Sequence, residues 1–442
     1  MKRESTIQST TSNFVASWIY MALSIGTGII VTRALGPELK GEYSNFILIL
    51  TVYVPLLVFG YSGGVHYYGL TKQLDLKNFF WSGFAMTLGL GIVLTPLLYP
   101  MVVHGWLGKV AAGSESSAVL LALLAAPLIL LNAYAERILK SFHLFRASNF
   151  RSIAGAVVTL LYLTILLPFV KIDLDLALIG VIVGQATQLI MSIWFSVRQV
   201  GVVWSLESKN LFKPWRYGIK TWLSQIVSRS NSSLDRIALT FFLESGPFGI
   251  YCVGVALSNL VTKIPSSYVS VFFNQVAQRQ PEEALKLYAK AQRITFLITS
   301  IMALGLAIAS YPLIYMMYGN EFVAAAWVVV LYTPGLVFQA AASLSIKLYA
   351  GMGEPLKVSL VYFIGFLVSL PFYLFLVPPY GINGAAVASS IAYFSAFLFS
   401  FYQINREFGL PIRNVVGIRR EDWRYVQSQL SKLSFFGWKL PA

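Results

Sequence analysis

The chain alternates between long apolar runs and short polar interruptions along nearly its whole length. Twelve runs stand out, at roughly 12–33, 44–64, 79–103, 117–139, 150–170, 176–197, 217–241, 247–271, 292–317, 324–349, 356–378 and 384–404. Each has about 20 residues or more, enough to cross a hydrocarbon core of about 30 Å as a helix. The apolar residues run together instead of alternating, which excludes the strands of a porin-like barrel. The pattern predicts an all-α membrane protein of about 12 transmembrane helices.

Composition agrees. Hydrophobic residues make up 57% of the chain and charged residues only 12%, against about 25% charged in a soluble domain. So few charges do not cover a water-soluble core of this size. The opening "MKRESTIQSTTSNF" is polar after its basic residues and leads to no small-residue cleavage site. The first span is therefore expected to be retained.

The net charge of +15 takes its meaning from location. With the N-terminus in the cytoplasm and alternating spans, 26 of the 33 basic residues fall on cytoplasmic segments or adjoining span ends. Arg137, Lys140, Arg146 and Arg151 form one such group. Arg33, Lys40, Lys109 and Lys171 fall on the other side. This is a positive-inside distribution, and it puts both termini in the cytoplasm. It accounts for the charge without nucleic acid.

The halves repeat. "LGPELKGEYSN" at 35–45 aligns with "LESGPFGIYCV" at 243–253, so Leu35, Gly41 and Tyr43 match Leu243, Gly249 and Tyr251 at an offset of 208. Six spans separate the copies, which makes the repeat parallel, about an axis along the membrane normal. The expected domains are a six-helix bundle at 1–200, a basic cytoplasmic linker at 201–216, a second six-helix bundle at 217–404 and a basic cytoplasmic tail at 405–442. Within "TRALGPELKGEYSNF", Gly36 and Pro37 break the helix, while Gly41 and Tyr43 open the next span. Arg33 sits at the outer mouth, placed either to help release an anion or to snorkel to the interface.

Span one carries Asn13, Ser17, Tyr20, Ser24 and Thr27 on one helical face. The same offset gives Thr221, Gln225, Ser228, Ser232 and Asp235 in span seven, with Asn231 alongside. These faces suit either helix packing or a polar cleft. Arg229 and Arg236, seven residues apart, differ by about 20° on a continuous helix and form a cationic edge. Arg229 lies mid-span, where a charge avoids lipid. It either attracts an anion or fixes packing. Lys263 in span eight is a second cation candidate. Asp235 is placed to bind H⁺ or Na⁺, or to pair with a cation. Glu136 and Arg137 read as a packing or gating pair, and "GVIVG" at 180–184 as close helix packing.

Hydrolytic and metal chemistry is not indicated. The chain has no G-x-x-x-x-G-K-[ST] or H-E-x-x-H, and its one cysteine is Cys252. The expectation is a non-enzyme without cofactor or metal, its coupling ion, H⁺ or Na⁺, left open.

With both repeat starts in view, the chain resembles the oligosaccharide flippases, the Wzx-like branch of the multidrug/oligosaccharidyl-lipid/polysaccharide (MOP) exporter superfamily. The similarity rests on "TRALGPELKGEYS", "LDRIALTFFLESGPFGIYCVGVAL" at 234–257, "LIYMMYGNEFVAAAWVVVLYTPGLVF" at 313–338 and "YGINGAAVASSIAY" at 380–393. It implies two six-helix bundles in a bacterial inner membrane, working by alternating access. It implies an undecaprenyl-pyrophosphate-linked oligosaccharide as cargo, moved to the periplasmic leaflet, with membrane lipids and polymerase or glycosyltransferase machinery as partners. The Asp235–Arg236 pair looks like the acidic-basic pair of helix seven in that family. Arg229 and Lys263 match no invariant motif and are cleft candidates by charge and position. Asn13, Tyr20, Gln225 and Asn231 are the candidate glycan contacts. The first half shows almost no mid-membrane charge, so the anion is expected mainly on the second half. Two other functions fit the same sequence: a small-molecule or drug antiporter of the superfamily, and a non-transporting membrane scaffold.

Overall fold

A computed structural model describes residues 6–71, 74–112, 116–200, 211–231 and 233–417. Its helices are α1 (Thr6–Leu48), α2 (Tyr61–Leu70), α3 (Leu76–Leu94), α4 (Leu98–Val103), α5 (Lys109–Ala112), α6 (Ser116–Ser141), α7 (Phe145–Leu166) and α8 (Leu174–Val200). There follow α9 (Lys213–Asn231), α10 (Leu234–Phe242), α11 (Ser245–Ser258), α12 (Lys263–Val276), α13 (Pro281–Tyr318), α14 (Ala325–Gly351), α15 (Pro355–Phe408) and α16 (Arg413–Val416). The fold is all-α and multi-spanning. Among the described residues, nine helical stretches are long and apolar enough to cross a membrane.

Those nine contain most of the twelve expected spans, because two helices each hold a pair. Spans one and two share α1, which breaks only at Gly36 (φ 68, ψ 178). Spans eleven and twelve share α15, which breaks at Gly381 (φ 54, ψ −131). Both breaks fall on glycines in a left-handed or mirror backbone region that side chains resist. The helix resumes directly at Pro37, whose fixed φ suits a first helical turn.

Span seven differs from expectation. It is not one helix: α9 ends at Asn231 and α10 begins at Leu234. The sequence there is Ser230-Asn231-Ser232-Ser233, and such short polar side chains compete with the helical backbone for hydrogen bonds. The angles computed for a continuous helix therefore do not carry across the break. Arg229 lies on α9 and Arg236 on α10, so the two do not stand on one continuous helix.

The second span of each half also loses regular α geometry, at matching places. After Leu48 come a π-helical segment, Ile49–Tyr53, and a 3-10 turn, Val54–Leu56. In the second half a 3-10 turn covers Asn259–Thr262, which the repeat offset places opposite 51–54.

The chain divides into two compact units. One comprises the residues up to Cys252 together with Met316–Phe322, and the other Val253–Tyr315 and Val323 onward. The first has a core around Phe46, Tyr61, Phe79, Phe80, Tyr134 and Ile138. In it α9 packs on α2, and the indoles of Trp215 and Trp222 donate to the carbonyls of Val58 (3.1 Å) and Leu56 (2.9 Å). Each carbonyl also accepts a turn hydrogen bond, Leu56 from Phe59 N–H (3.2 Å) and Val58 from Tyr61 N–H (2.9 Å), so the indoles use their second lone pairs. "GVIVG" behaves as close packing: a Cβ on Gly184 would lie 2.1 Å from Thr159 Oγ1 on α7.

The second unit is built on α14 packed along α15, with Phe272, Tyr288, Leu344, Leu348 and Ile404 in its core. Arg293 donates to the Asn414 carbonyl at 2.8 Å and ties down the segment after α15. The expected linker at 201–216 and tail at 405–442 are described only at 211–216 and 405–417.

Candidate functional site

The two copies of the repeat marker meet. A Cβ on Gly41 would lie 1.8 Å from the Ser245 carbonyl oxygen, and one on Gly249 would lie 2.3 Å from the Pro37 carbonyl oxygen. Both distances are far inside van der Waals contact. The start of α11 and the restart of α1 after Gly36 thus touch backbone to backbone. Tyr43 and Tyr251, the aromatic members of the marker, take different roles. Lys40 Nζ sits 4.8 Å from the Tyr43 ring centroid. Tyr251 is fully buried and donates to Asp235 Oδ2 at 3.0 Å.

Asp235 is itself buried, at 3% exposure. Its Oδ1 lies 4.0 Å from Arg236 Nε, and Arg236 also donates to Ser233 Oγ at 2.8 Å. A carboxylate at this depth is stabilised by such donors, because unpaired it would be costly.

Arg33 is engaged at a helix end. Its guanidinium donates to the carbonyls of Met317 (2.7 Å) and Met316, in the last turn of α13, which belongs to the first unit. Those carbonyls have no partner within the helix, and a cation there complements the helix dipole.

The other candidates are more dispersed. Tyr20 is exposed on α1, and Lys263 is exposed at the start of α12. Asn13, Gln225, Arg229 and Asn231 lie on helical backbone, and their side chains fall outside the described ones.

One polar group in the first unit was not singled out as a site from sequence. Arg151, near the start of α7, is buried at 2% exposure. It donates to Glu136 Oε2 at 2.8 Å, Asn132 Oδ1 at 3.1 Å and Ser192 Oγ at 3.4 Å. Asn132 in turn donates to the Gln185 carbonyl oxygen (2.8 Å) and to Gln185 Oε1 (2.9 Å). Lys140 pairs with the other oxygen of Glu136. Glu136 thus pairs with Arg151 and Lys140, where the sequence suggested Arg137. A signal was present: Asn132 and Glu136 are four residues apart on one face of α6, and Gln185 and Ser192 are seven apart on α8.

Nearby, His66 Nδ1 lies 2.7 Å from Ser141 Oγ, which donates to the Arg137 carbonyl at 2.8 Å. The serine proton is committed, so the imidazole is the donor. Burial, then the Arg137 charge, lowers the His66 pKa below its usual value, favouring the neutral ring.

Comparison with known proteins places this arrangement. The profile of the family "Lipid II flippase MurJ" matches residues 75–431. The chain belongs to the MurJ family. With it comes membership of the MOP superfamily, whose architecture this fold shares. A solved structure of the lipid II flippase MurJ in an inward closed conformation covers 99% of this chain and 94% of its own, with a TM-score of 0.69 at 15% identity. An inward-facing multidrug resistance MATE family transporter of the superfamily covers 88% of this chain and 94% of its own, with a TM-score of 0.70 at 14% identity. An uncharacterised membrane protein of Methanocaldococcus jannaschii is 25% identical over 203 residues, which is 45% of this chain and 39% of that protein. The chain therefore spans well under half of that relative. The chain is thus a multi-pass membrane protein of a family named for a lipid II flippase. The Wzx-like branch, suggested by the repeat motifs, is a finer assignment than these matches reach.

Proposed function

We propose that this protein is a flippase for a polyprenyl-diphosphate-linked oligosaccharide, moving it from the cytoplasmic to the periplasmic leaflet of a bacterial inner membrane by alternating access. The observation that carries this reading is the MurJ match across 75–431, a family named for a lipid-linked saccharide. An O-antigen, capsule or exopolysaccharide unit on undecaprenyl pyrophosphate is the proposed cargo, after the Wzx-like motifs. Arg229 and Lys263 are the proposed contacts for its diphosphate, and Asn13, Tyr20, Gln225 and Asn231 those for its sugars. Asp235 is the proposed site of H⁺ or Na⁺ coupling. The bundles are taken to divide at the basic linker, with both termini cytoplasmic. Membrane lipids and glycan polymerase or glycosyltransferase machinery are the proposed partners.

The test is surface-glycan export in a strain lacking the gene, complemented with wild type and with Arg229→Ala. Loss in the deletion strain, rescue by wild type and failure by Arg229→Ala are expected. Normal surface glycan in the uncomplemented strain would count against the reading. The MATE-like fold supports one second reading, small-molecule export. Drug hypersensitivity of the deletion strain with intact glycan would select it.

A further inference from the structure

The end of α9 that follows the basic linker lies on α2 along a seam of bare backbone. A Cβ on Gly60 would fall 2.3 Å from the Gly218 carbonyl oxygen, and one on Gly218 would fall 2.5 Å from the Gly60 carbonyl oxygen. One turn further along α2, a Cβ on Gly64 would fall 1.9 Å from the Pro214 carbonyl oxygen. Glycine puts no side chain between the helices at these points, so nothing there has to change rotamer when they part. Both helices lie in the first compact unit. By the repeat, however, α2 is expected in the first bundle and α9 in the second. A transporter that works by alternating access has to break and remake a contact of this kind. The charge bias assigns this end of the helices to the cytoplasm.

Aromatic side chains latch the seam. The rings of Tyr67 and Tyr217 stack, with centroids 3.8 Å apart and planes 5° apart. Trp215 and Trp222 donate to the carbonyls of Val58 and Leu56. The Trp222 ring also lies 5.0 Å from that of Phe59, and the Trp215 ring 5.3 Å from that of Tyr61. Every one of these contacts joins α9 to α2 or to the turn that leads into it.

That turn is strained. Phe59 has φ 46 and Gly60 has φ 75. Glycine adopts such angles at no steric cost, whereas a bulky residue there is an outlier held by its surroundings. The two indole bonds fall on Leu56 and Val58, directly before Phe59. The chain just upstream is already irregular, π-helical over Ile49–Tyr53 and 3-10 over Val54–Leu56. Contacts from α9 thus hold down a turn that relaxes when they are withdrawn.

The two sides of the seam are anchored differently. α2 is tied to α6, where His66 Nδ1 lies 2.7 Å from Ser141 Oγ. α9 ends at Asn231, short of the start of α10 at Leu234. α10 is held elsewhere: a Cβ on Gly108 would fall 2.4 Å from the Thr240 side chain, and Asp235 accepts from Tyr251. The break lets α9 turn while α10 stays in place.

We propose that α9 is a hinged gate that closes on α2, pivots at the break between Asn231 and Leu234, and is driven open by relaxation of the Phe59–Gly60 turn. This rests on the transport reading given above. It deepens that reading by naming the element that moves and the residues that hold it shut.

The test is a distance measurement by double electron–electron resonance on the full chain in detergent. Spin labels are placed at Leu70→Cys and Ile219→Cys, both exposed, in a Cys252→Ser background. A predominant short distance and a minor long one are expected. Gly218→Leu wedges the seam and should raise the ratio of long to short by about fivefold or more. Trp222→Phe removes one indole donor, keeps a ring, and should raise the ratio several-fold. Phe59→Gly should act the other way and lower it, because the strain it relieves outweighs the loss of a half-exposed ring. A change that merely weakened the fold would not move the distances in opposite directions. Gly305→Leu, where a Cβ meets nothing within 4 Å, should leave the ratio unchanged. Glycan export in the complemented deletion strain should fall in Gly218→Leu and Phe59→Gly alike, since a transport cycle needs both positions of the gate. If Gly218→Leu fails to fold, Trp222→Phe and Phe59→Gly carry the test. Unchanged distances in these two variants would overturn the gate, whatever happens to export. Normal surface glycan in the uncomplemented strain would remove the flippase reading, and the distances would still decide the gate.

Discussion

Gly41 and Gly249 occupy equivalent positions in the two halves of the chain and lie back to back. A Cβ on Gly249 would fall 2.7 Å from the Gly41 backbone nitrogen. The sequence pairs them by an offset, and the fold pairs them in space. Glycine is required here by proximity rather than by dihedral angle, since neither residue has a positive φ.

Gly249→Ala and Gly41→Ala should each destabilise the protein strongly. Overpacking a well-filled site costs about 1–3 kcal/mol. Here the obstacle is backbone, so the upper end of that range is expected. Gly305→Ala is the control, because a Cβ at Gly305 in α13 meets nothing within 4 Å. It should be neutral or stabilising by up to about 1 kcal/mol. Thermal unfolding in detergent, followed by tryptophan fluorescence, separates the cases. Equal melting temperatures for Gly249→Ala and Gly305→Ala would refute the close contact.

Arg33→Ala should loosen the last turn of α13. It removes a charged donor from two carbonyls, a loss of about 1–2 kcal/mol for a partly exposed cap. Arg33→Lys keeps the charge without the planar fork and should fall between. Hydrogen exchange in the peptide covering 313–322 is the readout. Unchanged protection in Arg33→Ala would show that the cap contributes nothing.

Arg151→Ala should be among the most damaging changes in the first unit. Losing its donors leaves Asn132 and Ser192 short of a partner, while Glu136, 36% exposed, keeps Lys140, so a cost of about 1–3 kcal/mol is expected. Glu136→Gln should cost less, since Arg151 keeps Asn132 and Ser192 as acceptors. The double substitution should cost less than the sum of the two, because they share one network. Strict additivity in a double-mutant cycle would mean that the pair is not coupled.

The depressed pKa of His66 has a defined effect on stability. Its neutral ring is favoured in the fold, so its full contribution is present above the unfolded value of about 6.5. As pH falls through that value toward the lower folded one, the unfolded chain takes up the proton first and stability drops. Melting temperature should therefore decline as pH falls below about 6.5, and His66→Gln should flatten that decline. An identical slope in the variant would show that His66 is not its source.

Much of the fold was legible because a membrane span is a local property. Each of the twelve runs announces itself by length and apolarity alone. Gly36 and Pro37 marked the first break because their backbone limits are intrinsic. The break after Asn231 was harder, since Ser230-Asn231-Ser232-Ser233 sits inside a run that is apolar on average. Its residues announce a backbone competitor more than a polar stripe.

The sequence by itself determined the all-α, multi-spanning class of the protein and the places of its long apolar runs. These follow from hydropathy, length and order along the chain. Only the tertiary structure decided which charges meet. Arg151 looked like one of several basic residues at a cytoplasmic span end, and the fold buries it against Glu136 and Asn132. Arg33 looked like an outer-mouth cation, and the fold gives it two helix carbonyls from a segment nearly three hundred residues away. A sequence fixes the face of a helix on which a side chain stands. What that face meets depends on how neighbouring helices pack, and packing is settled by the whole chain at once.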